Sequence, residues 1–120
     1  DFTYVDDIAE GTVRVLDRVA SPDSHFKTDS PNPGSSYVPY RVYNIGNHQP
    51  VELITFIKII EDALGRTAKK NLLPMQPGDV VATYADVEDL KRDIHFEPKT
   101  ELTIGIRKWV DWYRGYINQS

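Results

Sequence analysis

The segment from residue 40 to residue 75 constrains the fold more than any other part of the sequence. Residues 40–46, "YRVYNIG", are rich in aromatic and β-branched residues, which is typical of a β-strand. Pro50 and Gly65 suit the start and the end of a helix. Residues 70–75 are a further strand candidate. This order predicts a βαβ unit with parallel strands and a right-handed crossover. The apolar residues of its helix follow helical spacing: Leu53, Phe56, Ile57, Ile60 and Leu64.

The sequence before this unit predicts a short strand, a helix and a long loop. Residues 2–5 are aromatic and β-branched, and Asp6 or Asp7 stands where a helix N-cap is expected. Apolar spacing then predicts a helix over residues 7–19. Residues 20–39 are dense in Pro, Ser, Asp and Gly, so we expect a long loop that is either solvated or packed over another part of the molecule.

The sequence after the unit predicts two more helices, which gives an α/β fold overall. Asp86 is a candidate N-cap for a short helix over residues 87–93. Thr100 is a candidate cap for a final helix with one apolar face. Trp112 lies off that face, so it either covers a neighbouring domain or lies on the surface. The apolar face comprises Leu102, Ile106, Trp109, Val110, Tyr113 and Ile117.

Composition argues against several classes of function. The net charge of -4 and the pI of about 5.3 disfavour nucleic-acid binding, which needs a basic surface. The sequence has no cysteine, which excludes disulfides and thiolate metal sites and fits a reducing compartment. No apolar run is long enough to span a membrane. His25, His48 and His95 lack metal-ligand spacing, so we predict no metal site.

The sequence contains no complete catalytic or cofactor motif. It has no G-x-G-x-x-G, no Walker A loop, no G-x-S-x-G and no tyrosine followed four residues later by lysine. Asp6 and Asp7 could form an acid/base pair, but a helix cap beside a solvated acid is the simpler interpretation. The opening "DFTYVDDIAE" is not a signal peptide. It has no initiator Met and begins in the middle of a structural pattern, as expected for part of a longer chain.

The stretch "LLPMQPGDVVATYAD", residues 72–86, is the best candidate for a binding loop. Pro77 and Gly78 predict a type II turn at the carboxyl end of a predicted parallel strand, where ligands bind in open α/β sheets. The Asp79 carboxylate could accept hydrogen bonds from a vicinal diol such as a ribose, and the Gln76 amide can donate and accept. From the residues alone, a plain turn followed by a helix cap remains the alternative.

Several runs, taken in order, resemble the C-terminal third of an extended short-chain dehydrogenase/reductase that acts on nucleotide sugars. The runs are "DFTYVDDIAEG", "YRVYNIGN", "PVEL", "LLPMQPGDVVATYAD" and "WVDWYRGY", and the likeness is strongest to the UDP-glucuronate 4-epimerases. The resemblance covers nearly the whole chain apart from residues 20–39. It implies a Rossmann-type fold in which this chain supplies a late βαβ unit and substrate-domain helices. An NAD-binding domain and a tyrosine base would lie upstream, and the reaction would invert C4 through a 4-keto intermediate.

The resemblance also implies roles for individual residues. Asp79 matches the carboxylate that holds the nucleotide ribose, Gln76 matches a position near the nucleotide, and Phe2 matches an aromatic position beside it. Tyr84 and Asp86 match structural positions. The chain would hold no catalytic, cofactor-binding or metal-binding residue, and NAD would be bound by the missing N-terminal domain.

The expected partner of the full-length enzyme is a nucleotide sugar, with no nucleic acid and no membrane. We expect a cytoplasmic homodimer, and we expect this piece to self-associate when alone because its predicted parallel edge lacks neighbouring strands. Two alternatives remain open at this point: part of a nucleotide-sugar 4,6-dehydratase or reductase, and a non-catalytic interaction module.

Overall fold

A computed structural model describes residues 1–118, and its regular structure consists of four helices. They are α1 (Val5–Leu16), α2 (Leu53–Leu64), α3 (Glu88–Ile94) and α4 (Leu102–Ile117). Within the described residues the only β-type pairing is an isolated antiparallel bridge between Ser35 and Arg41. No helix among these residues is long and apolar enough to cross a membrane.

The three predicted strands are not observed within residues 1–118. Residues 2–4 are irregular and Val5 already belongs to α1, while residues 40–46 and 70–75 form no ladder with each other or with a third segment. A strand exists only when a neighbouring strand supplies the opposing N–H and C=O groups. The predicted βαβ unit is therefore absent here, although its central helix, α2, is present.

Helix α1 begins two residues earlier than predicted, and the prediction of an aspartate N-cap is wrong. The N-cap position is Tyr4, and Asp6 and Asp7 lie in the first turn, where negative charge suits the helix dipole. The Asp7 carboxylate is engaged elsewhere: its Oδ2 accepts hydrogen bonds from the backbone N–H groups of Lys99 and Thr100, at 3.2 and 2.8 Å. This pair of bonds ties α1 to the segment that leads into α4.

Helices α2 and α4 pack against each other. Gly65 ends α2 in the left-handed conformation (φ 69°), so the predicted glycine stop is confirmed. Glu101, and not Thr100, is the N-cap residue of α4. Val110 of α4 is fully buried, and the Arg114 guanidinium donates to the Leu64 carbonyl at 2.9 Å, which joins the ends of the two helices.

Helix α3 carries the best-buried part of the core. Val87 and Leu90 are 4% and 0% exposed, respectively. Val87 is the N-cap residue, so the predicted Asp86 cap is displaced by one position. The Asp86 carboxylate still supports the first turn, because its Oδ1 accepts from the Glu88 N–H at 3.1 Å. His95 ends the helix in the left-handed conformation.

The loop over residues 20–39 is anchored at its base. Asp23 accepts a 2.7 Å hydrogen bond from the Ser35 hydroxyl, and Ser35 is buried. The Ser35 hydroxyl and the backbone N–H of His25 both donate to this carboxylate and hold the pKa of Asp23 below its ordinary value. Arg41 then forms ion pairs with Asp89 and Asp93, which fasten the end of the loop to α3.

The molecule is extended and leaves much apolar surface uncovered. Its radius of gyration is 18.7 Å, whereas a compact domain of this length has about 14 Å. Large apolar side chains stand in solvent on the segment after α2, among them Leu72 at 74% and Val81 at 88% exposure. Contiguous exposed apolar surface normally marks an interface.

Candidate functional site

The predicted turn at Pro77 and Gly78 is present. The Asp79 N–H donates to the Gln76 carbonyl at 3.2 Å, and Gly78 has a φ of 95°, as a type II turn requires. The side chains of Gln76 and Asp79 are exposed to solvent. The turn thus presents an amide and a carboxylate on a rigid four-residue frame, although the strand predicted before it is not observed.

Phe2 stacks on Phe56 of α2, with ring centroids 4.0 Å apart and an angle of 1° between the ring planes. The pair borders an apolar cavity of about 270 Å³ between the N-terminal segment and α4. That cavity is lined by Phe2, Thr3, Tyr4, Val5, Phe56, Thr100, Glu101, Leu102, Gly105, Ile106 and Trp109. The stacking fixes the orientation of the Phe2 ring.

A second cavity, of about 420 Å³, brings Phe2 next to the chain that follows the turn. One wall is Phe2 and the start of α2, and the other wall is residues 80–83. Asp79 lies one residue before that second wall and is not among the lining residues. The structure therefore places Phe2 beside the segment that continues from Asp79, and neither Gln76 nor Asp79 lines the cavity.

The sequence interpretation missed Asp1, whose carboxylate lies at a junction of three backbone segments. Asp1 Oδ1 accepts from the Asn47 N–H at 3.1 Å, and Oδ2 accepts from the N–H groups of His48 and Ala85 at 3.1 and 3.0 Å. The Thr3 hydroxyl oxygen also accepts from the Asn47 N–H, at 3.0 Å. No local pattern marks such an acid, because all three of its donors are backbone groups of distant residues.

Gly46 makes this junction sterically possible. A Cβ atom at residue 46 would lie 2.4 Å from the Ala85 Cβ and 3.2 Å from Asp1 Oδ2. Real Cβ atoms do not approach a neighbour as closely as 2.4 Å, so a side chain here would force the two backbone segments apart. Gly46 is the sequence signal of this junction, but the pattern of residues 40–46 alone predicts only the end of a strand there.

A cluster of charged groups links α3 to residues 41–43. Asp93 receives hydrogen bonds from Arg92 and from the Tyr43 hydroxyl, and it pairs with Arg41 at 3.2 Å. Burial raises the pKa of Asp93, but the bonds from Arg92 and Tyr43 outweigh it and leave the pKa below its ordinary value. Because every acid in this cluster has a basic partner, we interpret it as structural.

Neither a metal nor a cofactor cradle is found among residues 1–118. No three His, Asp or Glu side chains in this range lie close enough together to hold a metal ion. A dinucleotide needs a glycine-rich loop at a helix N-terminus, and none of the four described helices begins with one. The chemistry that these residues offer is binding: a carboxylate, an amide and a stacked aromatic ring.

No protein-family model matches the chain, but curated proteins do. The chain is 53% identical over 119 residues to Protein CapI of Staphylococcus aureus. The matched residues cover 99% of this chain and 36% of that protein. The chain is 40% identical to a probable UDP-glucuronate 4-epimerase of Rhizobium meliloti (94% and 33% covered). It is 41% identical to UDP-glucuronate 4-epimerase 6 of Arabidopsis thaliana (97% and 24%). The chain thus spans about a third or less of the length of these relatives.

A solved structure is also similar. It is a mutant UDP-glucuronic acid 4-epimerase from Bacillus cereus in complex with UDP-4-deoxy-4-fluoro-glucuronic acid and NAD. The TM-score is 0.72 at 26% sequence identity, over 97% of this chain and 32% of that protein. The fold therefore matches one part of a larger protein.

These matches define a class first: the chain is similar to the C-terminal part of an epimerase of the NAD-dependent short-chain dehydrogenase type. Within that class, the Arabidopsis relative and the solved structure are UDP-glucuronate 4-epimerases, and the Rhizobium relative is named a probable one. The resemblance stated from the sequence is confirmed by both comparisons.

Proposed function

We propose that the protein containing this sequence is an NAD-dependent UDP-glucuronate 4-epimerase, and that these 120 residues are its nucleotide-sugar-binding C-terminal part. The observation that carries this proposal is the match of nearly the entire chain to UDP-glucuronate 4-epimerases at about 40% identity. The turn at Pro77, Gly78 and Asp79 (the P-G-D turn) supports it, because the side chains of Gln76 and Asp79 are exposed there and can form hydrogen bonds with a ligand.

The residues of this chain would bind and orient the nucleotide. Asp79 would accept hydrogen bonds from the ribose hydroxyl groups, since a carboxylate offers acceptors only. Gln76 would both donate to and accept from the nucleotide, and the Phe2 ring, held by Phe56, would lie beside the base. NAD, bound by an upstream domain, would supply oxidation and re-reduction at C4. The catalytic residues for that step would also lie upstream.

The missing sheet belongs to the same proposal. Residues 40–46 and 70–75 would be strands of a Rossmann-type sheet whose other strands are supplied upstream. Burial of Leu72 and the other exposed apolar side chains against that domain would remove surface that is now in solvent.

We also propose a cytoplasmic homodimer for the full-length enzyme.

The substitution Asp79→Ala in the full-length enzyme tests the site. We expect the KM for UDP-glucuronate to rise on the order of tenfold or more, because hydrogen bonds to a charged group are lost. Binding of NAD should not change. The matched control is Asp29→Ala, which removes an exposed carboxylate from the loop over residues 20–39 and should leave KM unaltered.

An unchanged KM in Asp79→Ala would remove Asp79 from the site. The product identifies the reaction: epimerisation at C4 gives UDP-galacturonate, whereas a dehydratase would release water from the sugar. Absence of UDP-galacturonate from the wild-type reaction would contradict the proposed function itself.

A further inference from the structure

The Asp1 carboxylate joins three separate segments of this molecule. Its two oxygens accept from backbone N–H groups of Asn47, His48 and Ala85, at 3.0–3.1 Å. The backbone nitrogen of Asp1 adds a contact of 2.8 Å to the Thr83 hydroxyl oxygen. These partners lie 46 to 84 residues away in the sequence, so the junction fixes tertiary structure and not a local turn.

The geometry of this junction suits a fixed negative charge. The consecutive N–H groups of residues 47 and 48 both donate to the Asp1 carboxylate. Successive N–H groups arranged in this way form an anion-binding concavity. Bonds from N–H groups to a carboxylate are stronger than bonds between neutral groups. Asn47 is buried, so its N–H has no access to bulk water as an alternative partner.

The junction lies between the two sides of the proposed nucleotide site. Asp1 directly precedes Phe2, and Ala85 follows Asp79 by six residues. The chain between Asp79 and Ala85 is otherwise loosely held: Val80, Val81 and Tyr84 are 69%, 88% and 67% exposed. The hydrogen bonds that Asp1 makes with Thr83 and Ala85 join this segment to the residue that precedes the Phe2–Phe56 stack.

We propose that Asp1 is a positioning residue for nucleotide binding, which acts through the backbone of residues 79–85 and not by touching the ligand. This inference rests on the proposed function and adds a residue to it. The loss of the Asp1 charge loosens the Ala85 anchor, and Asp79 then spends less time at the ribose. The consequence is weaker nucleotide affinity with unchanged cofactor affinity.

The substitution Asp1→Asn in the full-length protein tests the proposal, because asparagine keeps the shape but replaces one acceptor oxygen with a donor. We expect the Kd for UDP, measured by calorimetry, to rise roughly tenfold, the usual effect of losing bonds to a charged group. KM for the nucleotide sugar should rise by a similar factor while kcat and the Kd for NAD change little. Amide hydrogen exchange at His48 and Ala85 should become faster.

A double-mutant cycle separates positioning from general damage. In an Asp79→Ala background, Asp1→Asn should weaken UDP binding by much less than it does in the wild type, because the residue that it positions is gone. Equal weakening in both backgrounds would overturn the proposal, and so would an unchanged UDP affinity in the single Asp1→Asn variant. If Asp79→Ala alone leaves UDP affinity unchanged, the proposed nucleotide site fails, and the positioning role fails with it.

The substitution Thr3→Val provides a milder second variant in case Asp1→Asn does not fold. It removes one of the two acceptors of the Asn47 N–H and keeps the side-chain volume. We expect a smaller loss of UDP affinity in the same direction, together with faster exchange at Asn47. An unaltered UDP affinity in Thr3→Val despite faster exchange at Asn47 would contradict the coupling between this junction and the ligand.

Discussion

The contact between Gly46 and Ala85 shows how far a single residue can determine the architecture of this molecule. Residue 46 is buried, and a Cβ there would lie 2.4 Å from the Ala85 Cβ. Ala85 belongs to the segment that follows the P-G-D turn, so the absence of a side chain at residue 46 allows the turn segment and the Asp1 junction to meet.

The substitution Gly46→Ala in the full-length protein should therefore be destabilising. We expect a loss of about 1–3 kcal/mol in the free energy of unfolding, as for other overpacked sites, measured by urea denaturation. The control is Gly115→Ala in α4, where a Cβ meets nothing within 4 Å. Alanine there should stabilise the helix by about 0.5–1 kcal/mol. Equal effects of the two substitutions would refute the close approach at residue 46.

At the level of single residues, the sequence predicts those features that depend only on neighbouring residues, such as helix stops and turns. Gly65 and Gly78 both adopt positive φ, as a helix stop and a type II turn demand. The role of Asp1 could not be predicted, because its partners are backbone N–H groups far away in the chain. The pattern predicts Asp6 or Asp7 as the cap, but the Asp7 carboxylate accepts from the backbone N–H groups of Lys99 and Thr100 instead. An acid near a helix start fits both roles equally well.

Among the elements, the four helices were predictable and the strands were not. A helix satisfies its own backbone hydrogen bonds, so apolar spacing such as that of α2 and α4 is enough to reveal it. A strand needs a partner. In residues 40–46 the backbone N–H of Val42 donates to the Gly34 carbonyl and not to a neighbouring strand. The side-chain amide of Asn44 donates to the Asp86 carbonyl.

The link between α2 and the segment after it predicts a dependence on pH. Glu61 accepts hydrogen bonds from the Lys70 ammonium group and from the Ala68 N–H, and these two bonds hold the pKa of Glu61 below its ordinary value. A carboxylate with a lowered pKa in the folded state stabilises that state above its ordinary pKa, and this stabilisation is lost as pH falls through the folded-state value.

The stability of the full-length protein should accordingly fall as pH drops below the ordinary range for a glutamate, about 4–4.5. The substitution Glu61→Gln should flatten that part of the pH dependence and speed amide exchange at Ala68, because the charge that both donors bind is gone. Asp62→Asn is the control: its partner Lys58 is an exposed neighbour on the same helix, so the effect should be small. A wild-type pH slope in Glu61→Gln would show that this link contributes nothing.

At the scale of the whole molecule, the described residues bury little apolar surface. Its described apolar core is small, with Val87, Leu90 and Val110 buried, and its extents are 55 × 35 × 24 Å. The relatives are about three times as long. The missing strand partners and the uncovered apolar side chains have the same explanation under the proposed function. Upstream residues would supply the neighbouring strands and would cover these side chains.

This interpretation predicts how the isolated 120-residue chain behaves in solution. Exposed Leu72 and Val81 should drive self-association, so light scattering should give a mass that rises with concentration above the 13.7 kDa of one chain. Lysine at both positions should reduce that mass without changing the helical circular dichroism signal, because neither residue lies in a helix. The matched control, Lys27→Ala in the exposed loop, should associate like the parent chain. A monodisperse monomer at high concentration with a cooperative melt would show that these residues form a complete domain, and the exposed apolar surface would then need another explanation.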